Sequence, residues 1–425
     1  MKLDTLCVQG GWSPKCGEPR QVPVYQSTTF KYETTQQMAD LFDLKAAGYF
    51  YTRLANPTND AVAKKIAALE GGVGAVLTSS GQAASTFAVM NLCEAGDHVV
   101  ASAQIYGGTF NLLAVSLKKF GIETTFVDPD ADADEIQKAF RPNTKCVFGE
   151  TVANPSGVVL DIAKFADIAH RNGVPLIVDN TFPTPILCRP FKFGADIVTH
   201  ATTKYMDGHS SQVGGCVVDS GNFDWTQHAD KFAGLVEPDP SYHGLSYTKQ
   251  FGKLAYITKC VAQLMRDFGA IPSPFNAFLL NLGLESLHIR IRRHAESALK
   301  IATWLKAQEK VAWVNFAGLP DSPYHGLIEK QFDGPSPCGV MTFGIRGGRA
   351  ESIAFMDSLK LISIVTHVAD AWSCVLHPAS HTHRQLTDEQ LKAAGIPPDL
   401  IRFSIGLEDP DDLIADLEQA LAKVK

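Results

Sequence analysis

The sequence predicts an α/β protein with a mostly parallel central sheet and a smaller α+β C-terminal domain. Between residues 56 and 219, short apolar runs rich in β-branched residues alternate with amphipathic stretches, which is typical of a parallel sheet covered by helices. After about residue 273 this alternation gives way to one long helical stretch and more widely spaced strands. A chain of 425 residues is long enough for two domains.

The elements of the central sheet follow from hydrophobic periodicity. The predicted strands are Gly74–Thr78, His98–Ala101, Glu123–Val127, Lys145–Gly149, Val174–Val178, Asp196–Thr199 and Gly214–Val218. The predicted helices between them include Pro57–Glu70, with Val62, Ile66 and Leu69 on one face, and Phe110–Phe120, with Leu113 and Leu117 on one face.

The C-terminal part has its own pattern. It predicts a helix over Glu285–Gln308, strands near Val311–Phe316, Val340–Ile345 and Arg402–Gly406, and a final helix. Asp409 can cap that final helix and Pro410 suits its first turn. The sequence therefore predicts an N-terminal arm (1–55) that packs on another surface, with a neighbouring subunit as one candidate, followed by an α/β domain (56–272) and a C-terminal α+β domain (273–425).

Composition excludes several classes of function. The net charge of −7 and the 20% of charged residues leave no basic stripe, so nucleic acid is not an expected partner. No apolar run reaches the ~18 residues of a membrane span, and the first residues lack a signal-peptide pattern, which predicts a cytoplasmic protein. The nine cysteines include no CxxC pair, which indicates reduced thiols and not disulfides or a thiolate zinc site.

Two strands run directly into chemically useful residues. Asp179 follows Val174–Val178, and Lys204 follows the next strand in the segment HATTKYMDGH. The carboxyl ends of parallel strands form the ligand-binding edge of such sheets. An aldehyde cofactor needs a lysine for its Schiff base and an anion for its pyridine nitrogen, so this pair indicates a pyridoxal phosphate (PLP) site. If only these two residues are considered, the alternative to a PLP site remains open: the aspartate could cap a turn and the lysine could lie on a solvated edge.

Three further segments have both a binding and a structural interpretation. Gly81 and Gln82 begin a helix after a strand, where free amides can bind a phosphate or simply form a helix start. Tyr106 begins another helix, where its ring could stack on a planar cofactor or cover the edge of the core. Tyr51 and Arg53 belong to YTRLANPT, which offers a bidentate phosphate ligand or an ordinary exposed loop.

A histidine cluster near the C-terminus raises the question of a metal. His377, His381 and His383 lie in HPASHTHR, and imidazoles at this spacing can bind zinc. No carboxylate or thiolate nearby completes a ligand set. The sequence therefore predicts no metal site, although a zinc hydrolase remains conceivable, as does a catalytically silent binding protein.

Eight motifs in order carry a family resemblance. They are YTRLANPT, SSGQAAS, IYGGTF, ETVANPSG, VDNTFPTP, HATTKYMDGH, HPASHTH and LIRFSIGLEDPDDLI. Together the motifs resemble the Cys/Met metabolism family of PLP-dependent enzymes. The resemblance implies the aspartate-aminotransferase-like fold (fold type I). The segments GLVEPDPSYHGLSY and SPFNAFLLNLGLESLHIRIRRH resemble its O-acetylhomoserine sulfhydrylase branch.

The resemblance also implies residue roles. Lys204 would hold the cofactor, Asp179 would pair with its ring nitrogen and Tyr106 would stack on the ring and act as an acid. The remaining cofactor contacts would come from Gly81, Gln82, Thr203, Asn154, and the neighbouring subunit's equivalents of Tyr51 and Arg53. Arg402 would bind the substrate carboxylate, with Asn154 and Tyr51 beside the substrate.

The reaction implied is a γ-replacement in which O-acetyl-L-homoserine and sulfide, or a small thiol, give L-homocysteine, or its thioether, and acetate. The alternatives on the same fold are a methionine or cystathionine γ-lyase and a cystathionine γ-synthase. A homo-oligomer built from active dimers is expected. Two positions depart from the family pattern: Ala201 replaces the usual serine before the lysine, and His367 stands where relatives often carry Ser or Asn.

Overall fold

The computed structural model describes residues 1–382, 384–385, 387, 389, 391 and 395–424. A central seven-stranded sheet has the order β1-β7-β6-β5-β4-β2-β3. Its strands are β1 Gly74–Thr78, β2 His98–Ser102, β3 Glu123–Val127, β4 Thr144–Glu150, β5 Leu176–Asp179, β6 Ile197–His200 and β7 Gly215–Asp219. In this order, each pair of adjacent strands between β6 and β3 is parallel, and only β7 runs antiparallel to its two neighbours. This arrangement confirms the predicted fold class.

Helices flank this sheet and extend into the C-terminal part. The α-helices are α1 Leu3–Gln9, α2 Thr35–Phe42, α3 Pro57–Glu70, α4 Gly81–Met90, α5 Gly107–Asn111, α6 Ala133–Gln137, α7 Ile162–Arg171, α8 Thr184–Leu187, α9 Ala233–Val236, α10 Tyr247–Phe251, α11 Ala255–Lys259, α12 Arg266–Phe268, α13 Pro274–Lys306, α14 His325–Gln331, α15 Arg349–Met356 and α16 Pro410–Leu421. Within the described ranges, no helix is long and apolar enough to cross a membrane.

The C-terminal part contains a second sheet. Its order is β10-β11-β12-β9-β8, with β8 Val311–Asn315, β9 Val340–Ile345, β10 Ser363–Ile364, β11 Cys374–Leu376 and β12 Leu400–Ser404. The two short strands β10 and β11 were not predicted, because two or three residues carry too little alternation to be recognised. The side chain of Asp409 accepts a hydrogen bond from the Asp411 amide at the start of α16, as the sequence predicts.

The long helix α13 links two hydrophobic cores. Leu287 and Ile291 lie in the core of the central sheet, and Ile301 and Leu305 lie in the core of the second sheet. The helix begins at Pro274, well before the predicted start, with Ser273 as its cap. The early turns expose the apolar side chains Phe275 and Leu282, which obscures the one-sided pattern that identifies an amphipathic helix.

The predicted helix over Phe110–Phe120 is not one regular helix. After α5, a π-helical turn covers Leu112–Ser116 and a 3₁₀ turn covers Leu117–Phe120. Other 3₁₀ turns are Pro190–Phe193, Trp225–His228, Pro240–Tyr242 and Gly252–Leu254, and a second π-helical turn is Cys260–Met265. Leu113 and Leu117 are buried as predicted, so the apolar face was identified correctly although the hydrogen-bond pattern was not.

The N-terminal residues divide into two parts. Helix α1 packs against α3 and α13 of its own chain and buries Cys7. Most of residues 13–40 are exposed in the isolated chain, and so are the apolar side chains of Val24, Tyr25 and Phe42. An exposed apolar segment of this kind is typical of a surface that contacts another protein chain.

Asp219 supplies a prediction about stability. Its carboxyl lies at the end of β7, and burial, followed by nearby Asp196, raises its pKa to about 7. The folded chain therefore binds this proton more tightly than the unfolded chain, and stability falls as pH rises from about 4 to 7. We expect Asp219→Asn to be more stable than the parent at pH 8, by about 1–3 kcal/mol. The difference should shrink at pH 5; equal differences at both pH values, measured as thermal midpoints, would contradict it.

Candidate active site

Three adjacent parallel strands end in polar residues at one edge of the central sheet. Glu150 ends β4 and pairs in register with Asp179 at the end of β5, and Asp179 pairs with Thr199 of β6. The next turn of chain carries Lys204. The tertiary structure therefore places the predicted aspartate and the predicted lysine at the same sheet edge, where ligands of α/β proteins bind.

Asp179 is a buried carboxylate with one oxygen already bound. Its Oδ1 accepts hydrogen bonds from the backbone amide of Thr181, at 3.0 Å, and from the hydroxyl of Thr181. That hydroxyl also accepts from the Ala201 amide at 2.8 Å, which ties β5 to the lysine segment. In the described part of the chain no donor reaches Oδ2, which leaves this oxygen for a protonated ring nitrogen.

Glu150 was missed by the sequence analysis. It follows the apolar strand in the same way that Asp179 does, so the same signal could have found it. Its carboxylate accepts a hydrogen bond from the Tyr106 amide. Burial and the neighbouring Asp179 raise the pKa of Glu150 well above its usual value. Because two adjacent carboxyls resist double ionisation, Glu150 holds a proton more readily than Asp179 does.

A second buried network lies behind Asp179. His200 Nε2 lies 2.7 Å from Glu70 Oε1, and both side chains are fully buried. Asn180 donates to the same Glu70 oxygen at 3.0 Å and accepts from the Thr151 hydroxyl at 2.9 Å. Burial raises the pKa of Asp179, and the hydrogen bonds from Thr181 and the charge of His200 oppose that rise. His200 and Thr181 therefore act in favour of the ionised carboxylate, against the larger effect of burial.

Lys204 lies in a turn after β6 and its amine is largely buried. Burial, followed by the charge of Arg402, lowers the pKa of Lys204 to about 8. A lysine with this pKa is neutral in an appreciable fraction of molecules near neutral pH, as a nucleophile or base must be. Its Nζ lies 3.5 Å from His367 Nδ1.

Arg402 comes from the second sheet, on β12. It is 8% exposed, and its Nη2 donates to the backbone oxygens of Thr366 at 3.0 Å and His367 at 3.1 Å. Across the described ranges no protein acceptor reaches its Nη1 or Nε. A guanidinium held at one nitrogen, with its other nitrogens free of protein acceptors in the described chain, is suited to a carboxylate ligand.

The start of α4 forms a candidate anion site. Ser80 caps the helix by accepting from the Ala83 amide at 3.1 Å, and no acceptor in the described chain reaches the amides of Gly81 and Gln82. A Cβ added at Gly81 would lie 2.5 Å from the Ala201 side chain, so the helix and the lysine segment pack closely. Free amides at a helix start fit a phosphate group.

The other predicted cofactor ligands are Thr203, Tyr106 and Asn154. The Thr203 hydroxyl accepts from the Gly214 amide at 3.0 Å and contacts the Gly214 oxygen at 3.2 Å. Tyr106 is 46% exposed and its amide contacts Glu150, so its ring is accessible at the sheet edge. Asn154 is buried and precedes Pro155 in a cis peptide. Ala201 supplies no hydroxyl, as its sequence departure implies.

Tyr51 and Arg53 lie next to each other. The Arg53 guanidinium lies 5.2 Å from the centre of the Tyr51 ring, and its Nη1 donates to the Arg266 oxygen. Within the described residues of one chain, no hydrogen bond or ion pair connects either side chain with Lys204 or Asp179. Tyr51 is 38% exposed and Arg53 is partly exposed.

The C-terminal histidines show no metal geometry in the described ranges. His377 uses both ring nitrogens within the protein: Nδ1 contacts Ser380 Oγ at 2.9 Å and Nε2 contacts the Pro398 oxygen at 2.8 Å. His383 lies outside the described residues. Among the described residues no group of three or more His, Cys, Asp or Glu side chains could hold a metal ion.

Comparisons with known proteins agree with the geometry. Residues 4–422 match the family described as Cys/Met metabolism PLP-dependent enzyme. The O-acetyl-L-homoserine sulfhydrylase of Corynebacterium glutamicum is 45% identical over 411 residues, 95% of this chain and 93% of that protein. The one from Leptospira meyeri is 42% identical over 432 residues, 100% and 97% of the two chains.

A solved structure has a closely similar fold. It is a Campylobacter jejuni protein provisionally named an O-acetylhomoserine (thiol)-lyase, with a TM-score of 0.95 and 37% identity. The match covers 99% of this chain and 100% of that chain. The Campylobacter structure contains N′-pyridoxyl-lysine-5′-monophosphate, a lysine bonded covalently to a pyridoxyl phosphate group.

Proposed function

The chain belongs to the Cys/Met metabolism family of PLP-dependent enzymes, and from this premise we propose that it performs γ-replacement on O-acetyl-L-homoserine. Sulfide replaces the acetate, which gives L-homocysteine, a precursor in methionine biosynthesis. Relatives covering nearly the whole chain carry that activity in their names. The observation that carries the proposal is the placement of Lys204, Asp179 and Arg402 around one sheet edge. We place the reaction in the cytoplasm, in keeping with a biosynthetic role.

The residues at this edge fit PLP. We propose that Lys204 would bind the aldehyde carbon of PLP and that Asp179 Oδ2 would pair with its ring nitrogen. In the described chain, no donor reaches this carboxylate oxygen. The remaining cofactor contacts are assigned to Tyr106, Gly81, Gln82, Thr203 and Asn154. When bound, PLP withdraws electrons from the carbon next to the substrate's amino group and so makes its proton acidic.

The protein's own groups then move the protons. The neutral amine of Lys204 takes the α-proton, and its lowered pKa leaves an appreciable fraction of the amine unprotonated near neutral pH. Arg402 holds the substrate carboxylate and so orients the α-carbon toward that amine. Tyr106, accessible at the same edge, is assigned as the acid that protonates the departing acetate. Glu150 fixes the Tyr106 backbone through its carboxylate.

The substrate assignment is tested by product analysis. The purified protein should form homocysteine from O-acetyl-L-homoserine and sulfide much faster than it releases 2-oxobutanoate from methionine or cystathionine. Both routes share the first proton removal and diverge only in whether a thiol is captured. If 2-oxobutanoate remained the main product with sulfide in excess, the γ-lyase alternative would replace this proposal. O-Succinyl-L-homoserine should be assayed in parallel to test the synthase alternative.

Arg402→Ala should weaken substrate binding more than turnover. Loss of a charge-assisted pair with a carboxylate costs about 1.5–3 kcal/mol, so kcat/KM should fall roughly 10- to 100-fold, mainly through KM. Arg346→Ala is the matched control, because that guanidinium is exposed and contacts the Glu309 oxygen. Steady-state kinetics of both variants check the prediction; an unchanged KM in Arg402→Ala would contradict the assigned contact.

Tyr51 and Arg53 are proposed to complete the phosphate site of an adjacent subunit. The exposed N-terminal segment supports this arrangement, and so does the finding that, among the described residues, neither side chain has a hydrogen bond or ion pair with Lys204 or Asp179. In this arrangement the active unit is a dimer and two dimers associate. Mixing inactive Arg53→Ala with inactive Lys204→Ala chains should restore part of the activity, because one hybrid site then keeps both groups. Subunit exchange can be monitored by mass spectrometry. If the subunits exchanged and no activity returned, the proposed cross-subunit site would be wrong.

A further inference from the structure

A buried carboxylate, that of Asp370, borders the proposed active site and takes no part in the proposed proton transfers. It lies on the loop between β10 and β11. The amide of the next residue, Ala371, donates to the Gly208 oxygen at 2.9 Å, and the Gly208 amide donates to the Lys204 oxygen at 2.8 Å. The loop therefore packs directly on the turn that carries the proposed cofactor lysine.

The carboxylate of Asp370 is held in place at both oxygens. Its Oδ1 accepts from the Trp372 amide at 2.9 Å, and its Oδ2 accepts from the hydroxyl of Ser210, which follows the lysine turn. His367 lies between this carboxylate and the amine: its Nε2 is 3.5 Å from Asp370 Oδ2, and its Nδ1 is 3.5 Å from Lys204 Nζ. A single imidazole ring therefore separates the carboxylate from the amine.

The negative charge of Asp370 has no cationic partner near neutral pH. Its two hydrogen-bond donors, a backbone amide and a hydroxyl, are uncharged. In the described chain, the only basic group within ion-pair distance is the imidazole of His367. Burial, followed by the charge of Lys204, lowers the pKa of His367, so this ring is neutral near neutral pH. Asp370 therefore presents an uncompensated charge to the site.

The described chain offers a cation for one substrate carboxylate only. Arg402 is the one cation among the groups that most affect the pKa of Lys204, and the other two are Cys374 and Asp370. Arg402 is assigned to the α-carboxylate, which every amino-acid substrate carries. A substrate with a second carboxylate, on its acyl group, would meet the charge of Asp370 without a further cation to offset it. Like charges in a partly desolvated site disfavour binding.

We propose that Asp370 makes the site selective for homoserine esters whose acyl group carries no negative charge. O-Acetyl-L-homoserine satisfies this condition, whereas O-succinyl-L-homoserine, with a terminal carboxylate, does not. The inference rests on the proposed function and assigns its acyl selectivity to one residue. At an effective dielectric constant of about 20, two like charges about 8 Å apart weaken binding roughly 30-fold. We therefore expect the charge alone to lower kcat/KM by roughly 10- to 100-fold.

Three esters of similar length separate charge from size. The acyl group is anionic in O-succinyl-L-homoserine, neutral in O-succinamoyl-L-homoserine and cationic in O-(4-aminobutanoyl)-L-homoserine. With sulfide as co-substrate, kcat/KM of the parent for homocysteine formation should rise in that order. If the neutral ester reacted as poorly as the anionic one, length and not charge would be the selective property, and the inference would be wrong. Absence of homocysteine even from O-acetyl-L-homoserine would instead contradict the proposed function.

Asp370→Asn removes the charge and keeps an oxygen that can accept from the Trp372 amide. In this variant the ratio of kcat/KM for the neutral ester to that for the anionic ester should fall by roughly 10-fold or more. The advantage of the cationic ester should shrink as well. Asp357→Asn is the matched control, because it removes the same charge from an exposed position at the end of α15; it should keep the parent ratio.

A second variant, Asp370→Ser, guards against a local effect of the asparagine amide. Retention of the visible absorbance of the cofactor shows which variants keep an intact site, and the ratio is compared in those. A variant at position 370 that keeps the cofactor and also keeps the parent ratio would overturn the inference. So would an equal change of the ratio in Asp357→Asn, because the effect would then come from net charge and not from the site.

Discussion

Lys204→Ala is expected to abolish formation of homocysteine. The variant lacks both the amine that holds the cofactor and the base that removes the α-proton, so the residual rate should fall by at least the ~10²–10⁴-fold attributed to a positioned base. The rest of the site remains in place, because the lysine makes its contacts through Nζ and its backbone. The measurement is the initial rate with saturating O-acetyl-L-homoserine and sulfide.

Peptide mapping separates this role from a general need for lysine. Borohydride reduction of the parent should fix the cofactor on the peptide that contains Lys204. Lys259 is an internal control, because burial also lowers its pKa, although it lies on α11 and donates to the Asn91 oxygen. A label on Lys259, or on any other lysine, would overturn the assignment.

Asp179→Asn should retain the cofactor but lose proton removal. An amide cannot stabilise the protonated ring nitrogen as a carboxylate does, and deletion of one preorganised electrostatic group costs on the order of 100-fold or more. The amide oxygen can still accept from Thr181, so the local structure should persist. The measurement is α-proton exchange of L-2-aminobutyrate in D₂O, together with retention of the visible absorbance of the cofactor.

Asp219→Asn is the matched control for this substitution. Asp219 is also a buried carboxyl at the end of a strand in the same sheet, but β7 runs antiparallel and places it at the opposite edge, in register with Ile197. Its replacement should leave α-exchange unchanged. If Asp179→Asn exchanged the α-proton at the parent rate, the ring-nitrogen assignment would be wrong.

The central sheet could be predicted in detail because its signal is local. Each parallel strand is a short apolar run that ends in a turn, and β1 and β3 have the predicted bounds. Asp179 and Lys204 could be identified for the same reason, since each follows directly on such a run. Glu150 carries the same signal and was overlooked, although its register beside Asp179 is visible only in the folded sheet.

Local patterns failed where several packing environments overlap. Helix α13 exposes apolar side chains before it enters the two cores, so its first turns did not show a one-sided face. The segment after α5 keeps its predicted apolar residues buried while its hydrogen bonds follow π and 3₁₀ patterns. Burial depends on the spacing of side chains, whereas the hydrogen-bond pattern of a short segment is set by the neighbours it packs against.

The sequence by itself determined the fold class, the family and the two residues expected to hold the cofactor, because those properties reside in contiguous motifs. The tertiary structure decided that Arg402 and His367 approach Lys204, and that Ala201 packs against Gly81. These residues lie on separate elements: Arg402 is on β12 of the second sheet, and His367 is on the loop between β10 and β11. Their proximity depends on strand order and on how the two sheets pack, and no local pattern of residues encodes a contact between elements so far apart in the chain.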